Sequence, residues 1–133
     1  MEFFEKMTLE KAKMLSPLVL AFIGDAVMTL YVKEYLAKTS DAKAGKLHIA
    51  ASKIICSEAQ ADLLDNIYEM LTENEKGIFL RCRNAKYNSV SKNGTVADYK
   101  KASGLEAVLG YNYLIGDTHR CGFLLNHALP KNK

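Results

Sequence analysis

The sequence predicts an all-α domain. Apolar residues recur at helical spacing over long segments, and Ser, Thr or Asp precedes several of these segments where a helix N-cap would stand. No alternating strand pattern is present, and the Asn-Gly pair at 93–94 lies in a polar stretch, not between two such runs. With 133 residues, no internal repeat and no linker, we expect one domain over residues 1–133 with its core at about 8–128.

The first predicted helices lie in the N-terminal half of the chain. Ser16 followed by Pro17 is an N-cap with proline at the first helical position, and the apolar pattern then runs to about Lys38. The polar residues 39–41 break this pattern. A shorter helix is then expected over residues 44–53.

Two capping boxes predict the next helices. Residues 57–60 (SEAQ) and 72–75 (TENE) both have the Ser/Thr-x-x-Glu/Gln form, so a helix is expected to begin at each. The second of these helices should end near Asn84. Residues 84–94 are rich in Asn, Ser and Lys, which is typical of an exposed loop.

Two more helices complete the prediction. Residues 95–98 open a helix that runs to Ile115, where Gly116 can supply a left-handed C-cap. A last amphipathic helix begins at residue 117 or 118 and ends before Pro130.

The composition excludes several classes of protein. Hydrophobic residues make up 49% of the chain, but no run approaches the ~18 apolar residues of a membrane span. Residues 1–13 lack the apolar core and cleavage site of a signal peptide, so we expect a cytoplasmic protein. The three histidines lack metal-ligand spacing. Cys56, Cys82 and Cys121 predict neither a disulfide framework nor a zinc cluster, and we expect buried free thiols.

Charge is distributed unevenly along the chain. Residues 58–75 contain six acidic side chains and no basic one, whereas residues 76–101 contain seven basic side chains and one acidic one. The net charge is only +3. A local basic stripe on a nearly neutral chain indicates an anionic partner, although a solvated helix face gives the same pattern.

One carboxylate lies within an apolar helical run. Residues 21–27 read AFIGDAV, so Asp25 follows Gly24 in a helix that the spacing predicts to be largely buried. A buried aspartate is normally paired or bound to a metal. Gly24 destabilises a helix by about 1 kcal/mol relative to alanine, which indicates close packing or a functional role. Asp25 is therefore either functional or a structural group that caps a helix or pairs with a lysine.

A second carboxylate repeats this pattern. Glu106 lies in residues 104–111 (GLEAVLGY), with small residues around it that would let another helix approach closely. These small residues are Ala102, Ser103, Ala107 and Gly110. Facing each other across such a contact, Asp25 and Glu106 would be able to share Mg²⁺, which favours oxygen ligands and keeps several waters. A buried ion pair is the alternative for each carboxylate.

Three segments resemble those of the ribonuclease III catalytic domain. Residues 23–27 (IGDAV) resemble its signature helix, and residues 105–110 (LEAVLG) resemble its second acidic motif. Residues 81–86 (RCRNAK) resemble the basic segment of the short bacterial branch called Mini-ribonuclease III, which has the catalytic domain and no double-stranded RNA-binding domain. The order and spacing of the segments fit that branch over about residues 8–128.

The resemblance implies an all-helical, homodimeric, Mg²⁺-dependent endonuclease that cuts double-stranded RNA. It also implies maturation of both ends of the large-subunit (23S) ribosomal RNA precursor. Asp25 matches the family's catalytic aspartate and Glu106 its essential metal-binding glutamate. Phe22 matches a position that packs into the partner subunit, the alternative being packing within its own chain. The sequence leaves open which duplex is cut and whether a ribosomal protein assists.

The basic segment supplies the candidate RNA-binding residues. Duplex RNA is recognised largely by shape, through phosphates and 2′-hydroxyls, which calls for Arg, Lys and Asn side chains. The candidates are Arg81, Arg83, Asn84, Lys86 and Lys92.

The sequence departs from full-length ribonuclease III at three acidic positions, where this chain has Leu18, Ala21 and Ser103. Their absence agrees with the short branch and leaves the number of metal ions open. A non-catalytic ribonuclease III-like domain, used for RNA binding or dimer assembly, is an alternative function. A protein-interaction module that uses residues 58–75 is another. Retention of both Asp25 and Glu106 favours the enzyme, because an idle buried carboxylate would be destabilising.

Overall fold

The computed structural model describes residues 3–85 and 95–130. This part of the chain is helical and contains no strand, as the sequence predicts. The helices, in order, are α1 (Leu9–Met14), α2 (Pro17–Thr39), α3 (Ala44–Ile55), α4 (Ser57–Ile67), α5 (Glu73–Arg83), α6 (Val96–Leu114) and α7 (Thr118–Leu125), with 3₁₀ turns at Tyr68–Met70 and Asn126–Ala128.

Helix α6 is the centre of the molecule. It packs most extensively against α2, and also against α4 and α5. Residues 102–105 and 107–112 of α6 are all buried, which is expected of a helix covered on every side. The largest fully buried side chains of the core are Leu20, Met28, Leu64, Ile67, Leu105, Leu109, Leu124 and Leu125.

Two glycines allow the backbones of α2 and α6 to touch. A Cβ atom placed on Gly24 would overlap the carbonyl oxygen of Glu106. A Cβ atom on Gly110 would overlap the carbonyl oxygen of Leu20 and would also contact the backbone of Gly24. Any side chain at either position would therefore push the two helices apart. This explains the glycine inside the apolar run of α2.

Most predicted helix ends are confirmed. The Ser16 Oγ accepts a hydrogen bond from the Leu18 amide at 3.2 Å, and Pro17 begins α2. Thr95 caps α6 through the amide of Asp98 at 3.0 Å. After α6, Gly116 takes a left-handed conformation with φ of 86°.

Three local predictions are wrong or incomplete. Helix α1 was not expected from the alternating N-terminal sequence, although Thr8 caps it through the Lys11 amide at 3.2 Å. The capping box at 57–60 does not form: Cys56 is the N-cap of α4 and makes no side-chain cap bond. The side chain of Gln60 instead reaches elsewhere, as described below. Cys56 is exposed, whereas Cys82 and Cys121 are buried as predicted, and none of the three forms a disulfide.

The second capping box forms and is part of a buried ionic cluster. Glu75 accepts from the Thr72 amide at 2.9 Å, and it is only 3% exposed. Arg120 of α7 donates to both carboxylate oxygens of Glu75 at 2.7 and 3.0 Å, and Asn112 of α6 donates at 2.8 Å. Burial opposes ionisation, but these hydrogen bonds together hold the pKa of Glu75 below its ordinary value. The cluster fixes α5 and α7 to α6.

The glycine contact gives a stability prediction. Gly110→Ala should lower the free energy of unfolding by about 3 kcal/mol, because the added methyl group meets backbone atoms that cannot turn aside. Gly77→Ala in α5 is the matched control, since nothing lies within 4 Å of a Cβ atom there. It should raise the free energy of unfolding by about 0.5–1 kcal/mol. Urea unfolding of both variants tests this, and a Gly110→Ala protein as stable as Gly77→Ala would contradict the close contact.

Candidate active site

The contact between α2 and α6 brings the two predicted carboxylates together. Gly24 rests on the backbone of Glu106, and Asp25 is the next residue of α2. The Asp25 side chain is exposed, so the prediction that it lies in a largely buried segment is wrong. The reason is that α2 buries only the stripe facing its neighbours, formed by Leu20, Ala21, Gly24, Met28 and Val32.

Glu106 lies deeper than Asp25. Its side chain is half-buried, and its neighbours in sequence, Leu105 and Ala107, are fully buried. Burial, followed by the charge of Asp25 and a hydrogen bond with that residue, raises the pKa of Glu106 to about 8. A hydrogen bond between two carboxyl groups requires that one of them be protonated, and the raised pKa assigns this proton to Glu106.

A third side chain, not singled out from the sequence, completes the cluster. Gln60 of α4 is only 4% exposed, and its Nε2 donates to the Ile55 carbonyl at 2.7 Å. The same nitrogen lies 3.4 Å from Glu106 Oε2. The sequence signal was the capping-box pattern at 57–60, which assigned Gln60 to the start of its own helix. Nothing in the local sequence indicates that this side chain reaches Glu106, which lies on another helix.

The carboxylates of Asp25 and Glu106 offer oxygen atoms, the ligand type that Mg²⁺ takes. Among residues 3–85 and 95–130, no group of three or more His, Cys, Asp or Glu side chains could hold a metal ion. Two carboxylates are nevertheless enough for Mg²⁺, which binds proteins through one or two carboxylates and retains several waters. The arrangement can therefore hold a hard divalent cation at the surface, with Asp25 outermost.

The candidate RNA-binding residues that the structure describes lie at the end of α5, which contacts α6. Arg81, Arg83 and Asn84 are all exposed at the end of α5. Cys82, which lies between the two arginines, has its Sγ 3.4 Å from the Ser103 carbonyl, one turn before Glu106 on α6. The end of α5 is therefore fixed beside the middle of α6. Lys86 and Lys92 lie outside the described residues.

The outer face of α2 is apolar and uncovered. Phe22 is 76% exposed and Leu30 is 63% exposed, and Leu18 and Val19 on the same helix are also exposed. Phe22 therefore does not pack into the core formed by residues 3–85 and 95–130, against the alternative of packing within its own chain.

A groove lies beside this apolar face. Its volume is about 410 Å³, and it lies between α2, the end of α6 and α7. The lining side chains include Ile23, Val27, Leu30, Tyr113, Cys121 and Leu125. Helix α2 thus contributes both a projecting phenylalanine and one wall of an apolar groove. No helix in the described part of the chain is long and apolar enough to cross a membrane.

Comparisons with known proteins identify the family of this chain. The family model for the Ribonuclease III domain matches residues 18–117, which include both carboxylates. A protein of Thermoanaerobacter sp. (strain X514) named Mini-ribonuclease 3 is 43% identical over 116 residues, covering 87% of this chain and 82% of the relative. The Mini-ribonuclease 3 of Staphylococcus aureus (strain NCTC 8325 / PS 47) is 40% identical over 119 residues, covering 88% of this chain and 89% of the relative.

A solved structure shares the fold. The crystal structure of a protein from Fusobacterium nucleatum superimposes with a TM-score of 0.79 at 28% identity, covering 86% of this chain and 91% of that one. The domain match makes this protein an endoribonuclease of the ribonuclease III type. With relatives of 40% and 43% identity that align over most of their length, the chain belongs to the Mini-ribonuclease 3 branch of the ribonuclease III family.

The raised pKa of Glu106 predicts how stability depends on pH. Between about pH 4.5 and pH 8 the folded protein keeps a proton on Glu106 that the unfolded chain has released. With a chelator present, the free energy of unfolding should therefore fall as pH rises through this range, by at most about 1.4 kcal/mol per pH unit for one proton. Glu106→Gln cannot titrate and should lose this contribution.

The measurement is urea unfolding of both proteins from pH 5 to pH 8. Glu106→Gln should be the more stable of the two at pH 8, and the difference should shrink toward pH 5. Parallel pH profiles for the two proteins would mean that Glu106 ionises normally.

Proposed function

We propose that this endoribonuclease cuts double-stranded RNA with Mg²⁺ held by Asp25 and Glu106. We further propose that it matures the 5′ and 3′ ends of the large-subunit (23S) ribosomal RNA precursor, and that it works in the cytoplasm, where that precursor is made. The pairing of Asp25 with Glu106 carries the proposal, because two facing carboxylates on rigid helices are a ligand set for a hard cation.

The chain's own contribution is to position charge. Hydrolysis of a phosphodiester needs an activated water and stabilisation of the phosphoryl and leaving oxygens, and a bound Mg²⁺ supplies both. Asp25 is exposed and accessible to an RNA phosphate, whereas Glu106 is held from within by the packed α6. A bound Mg²⁺ would favour the ionised form of Glu106, and Asp25 and Glu106 would both hold the ion as anions. Gly24 and Gly110 keep the spacing of the two carboxylates constant.

RNA binding is assigned to the basic end of α5. The exposed Arg81, Arg83 and Asn84 can contact phosphates and 2′-hydroxyls, and Lys86 and Lys92 extend the same basic stripe in the sequence. The contact of Cys82 with the Ser103 backbone supports this assignment, because it holds the end of α5 against α6 one turn before Glu106. A duplex lying along this end would pass the carboxylates.

We propose that a second copy of the chain covers the outer face of α2. A two-fold interface needs one surface that is complementary to itself. Here α2 carries the exposed Phe22 and also forms one wall of an apolar groove. The Phe22 ring of each copy would therefore pack into the groove of the other copy. Two sites at a fixed distance would then cut both strands of a duplex.

The first prediction concerns catalysis. Asp25→Asn keeps the shape of the side chain but removes its charge, so cleavage of a long RNA duplex in Mg²⁺ should fall by orders of magnitude. The fold should persist or gain stability, since the repulsion between two close carboxylates is removed. Asp41→Asn, an exposed aspartate between α2 and α3, is the control and should cut normally. Near wild-type cleavage by Asp25→Asn would disprove the site, and an inactive wild-type protein would favour the non-catalytic alternative.

The second prediction concerns RNA binding. The double change Arg81→Ala and Arg83→Ala should weaken duplex binding and reduce the salt dependence of log K by about one unit per lost phosphate contact. Binding is measured by salt titration in Ca²⁺, an ion expected to support docking without turnover. The control, Lys11→Ala with Lys13→Ala on α1, removes the same net charge and should leave the salt dependence unchanged. An equal effect of both double variants would assign the result to net charge alone.

The third prediction concerns assembly. The wild-type protein should sediment as a dimer, and Phe22→Ala should weaken association by roughly 2–4 kcal/mol if the ring is a central anchor. Ile49→Ala, an exposed apolar residue on α3 that does not line the groove, should have no such effect. A wild-type monomer at micromolar concentration would rule out the proposed interface.

A further inference from the structure

The Gln60 side chain carries an unused hydrogen-bond acceptor at the candidate active site. Among buried side-chain nitrogen and oxygen atoms of the described residues, Gln60 Oε1 has no hydrogen-bond partner. Buried polar atoms are nearly always paired, and an unpaired one destabilises the fold unless a water, ion or ligand satisfies it. This acceptor therefore points to a partner that the described part of the chain does not provide.

The orientation of the amide group is fixed by its other end. Nε2 donates to the Ile55 carbonyl at 2.7 Å, and a reversed amide would place two oxygens against each other there. The unpaired atom of the amide group is therefore its oxygen, Oε1, and not its nitrogen. The second proton of Nε2 faces Glu106 Oε2 at 3.4 Å. One planar group thus contacts a carboxylate of the site and carries the unpaired acceptor beside it.

We propose that Gln60 is a positioning residue of the metal site, with Oε1 accepting a hydrogen bond from a water that the cation retains. This inference rests on the Mg²⁺ site of the proposed function and extends it to a residue of α4. A Mg²⁺ ion bound by two carboxylates keeps several waters, and each bound water is a hydrogen-bond donor. Through Nε2, Gln60 also holds Glu106 in a fixed orientation.

The side chain of Gln60 is a neutral amide. It adds an acceptor for a bound water without adding negative charge beside Asp25 and Glu106. Its donor meanwhile lies 3.4 Å from Glu106 Oε2 and limits the orientation of that carboxylate. Gln60 therefore helps the site in two ways, through its oxygen and through its nitrogen.

The test measures metal binding without RNA. Mn²⁺ is the probe, and its dissociation constant is determined by calorimetry and by loss of the free-ion electron paramagnetic resonance signal. Gln60→Met keeps the length and burial of the side chain but removes both polar atoms. Its dissociation constant for Mn²⁺ should rise roughly 10- to 100-fold. Asn66→Met removes an exposed amide from the same helix and should bind Mn²⁺ as the wild type does.

A second variant separates the oxygen from the nitrogen. Gln60→Glu supplies acceptor oxygens but no donor, so it should bind Mn²⁺ at least as tightly as the wild type. Weakening of Gln60→Glu to the level of Gln60→Met would overturn the proposal, because the nitrogen alone would then matter. If Gln60→Met fails to fold in chelator, Gln60→Glu decides the matter alone, and a loss of Mn²⁺ affinity of roughly 10-fold or more in that variant would overturn the proposal.

Two further measurements distinguish a metal-site role of Gln60 from a structural one. A purely structural Gln60 would change unfolding in chelator while leaving Mn²⁺ affinity within twofold of wild type, and this result would also overturn the proposal. Asp25→Asn serves as the reference for the site itself and should lose Mn²⁺ binding. If Asp25→Asn binds normally, the metal site of the proposed function is wrong. If Gln60→Met binds Mn²⁺ normally and Asp25→Asn does not, the metal site is supported but the proposed role of Gln60 is wrong.

Discussion

The direct contact between the backbones of α2 and α6 is the constraint on which the rest of the structure depends. Gly24 and Gly110 let these helices touch over a stretch that also contains the two carboxylates. With any other residue at these positions the helices would separate, the core around α6 would loosen, and Asp25 would move away from Glu106. The fold and the candidate site are therefore set by one steric requirement. The ionic cluster of Glu75 and Arg120 then fixes α5 and α7 to the C-terminal part of α6, where Asn112 joins it.

The candidate site lies where the core meets solvent, and its electrostatics follow from that position. Asp25 remains hydrated, while Glu106 is partly withdrawn from water and carries a proton at neutral pH. By contrast, the buried Glu75 is ionised because an arginine and two further donors compensate its burial. The two glutamates thus differ because Glu75 has a cationic partner among the described residues, whereas the charged neighbour of Glu106 is another carboxylate. A divalent cation would supply Glu106 with the compensating positive charge that Arg120 supplies to Glu75.

Much of this could be predicted from the sequence, for identifiable reasons. Helix ends with local signals, such as Ser16, Thr95 and Gly116, were predictable because caps act within one turn. The pairing of Asp25 with Glu106 came from two small-residue motifs that resemble a known family. The exposure of Asp25 and the role of Gln60 were not predictable, because both depend on which neighbours lie across a helix contact. The spacing of apolar residues shows which faces of a helix are apolar. It does not show which of these faces is buried against another part of the chain.

The steric role of the glycines has a consequence for how this protein can change over time. In many enzymes, residues that serve catalysis weaken the fold, so selection for activity and selection for stability oppose each other. At Gly24 and Gly110 the two demands coincide, since a larger residue would damage packing and site geometry together. At this site, activity and stability conflict only at the two carboxylates, because their mutual repulsion destabilises the fold. The glycine positions should drift least in evolution, and engineered thermostability is better sought on the solvent-facing helices far from this contact.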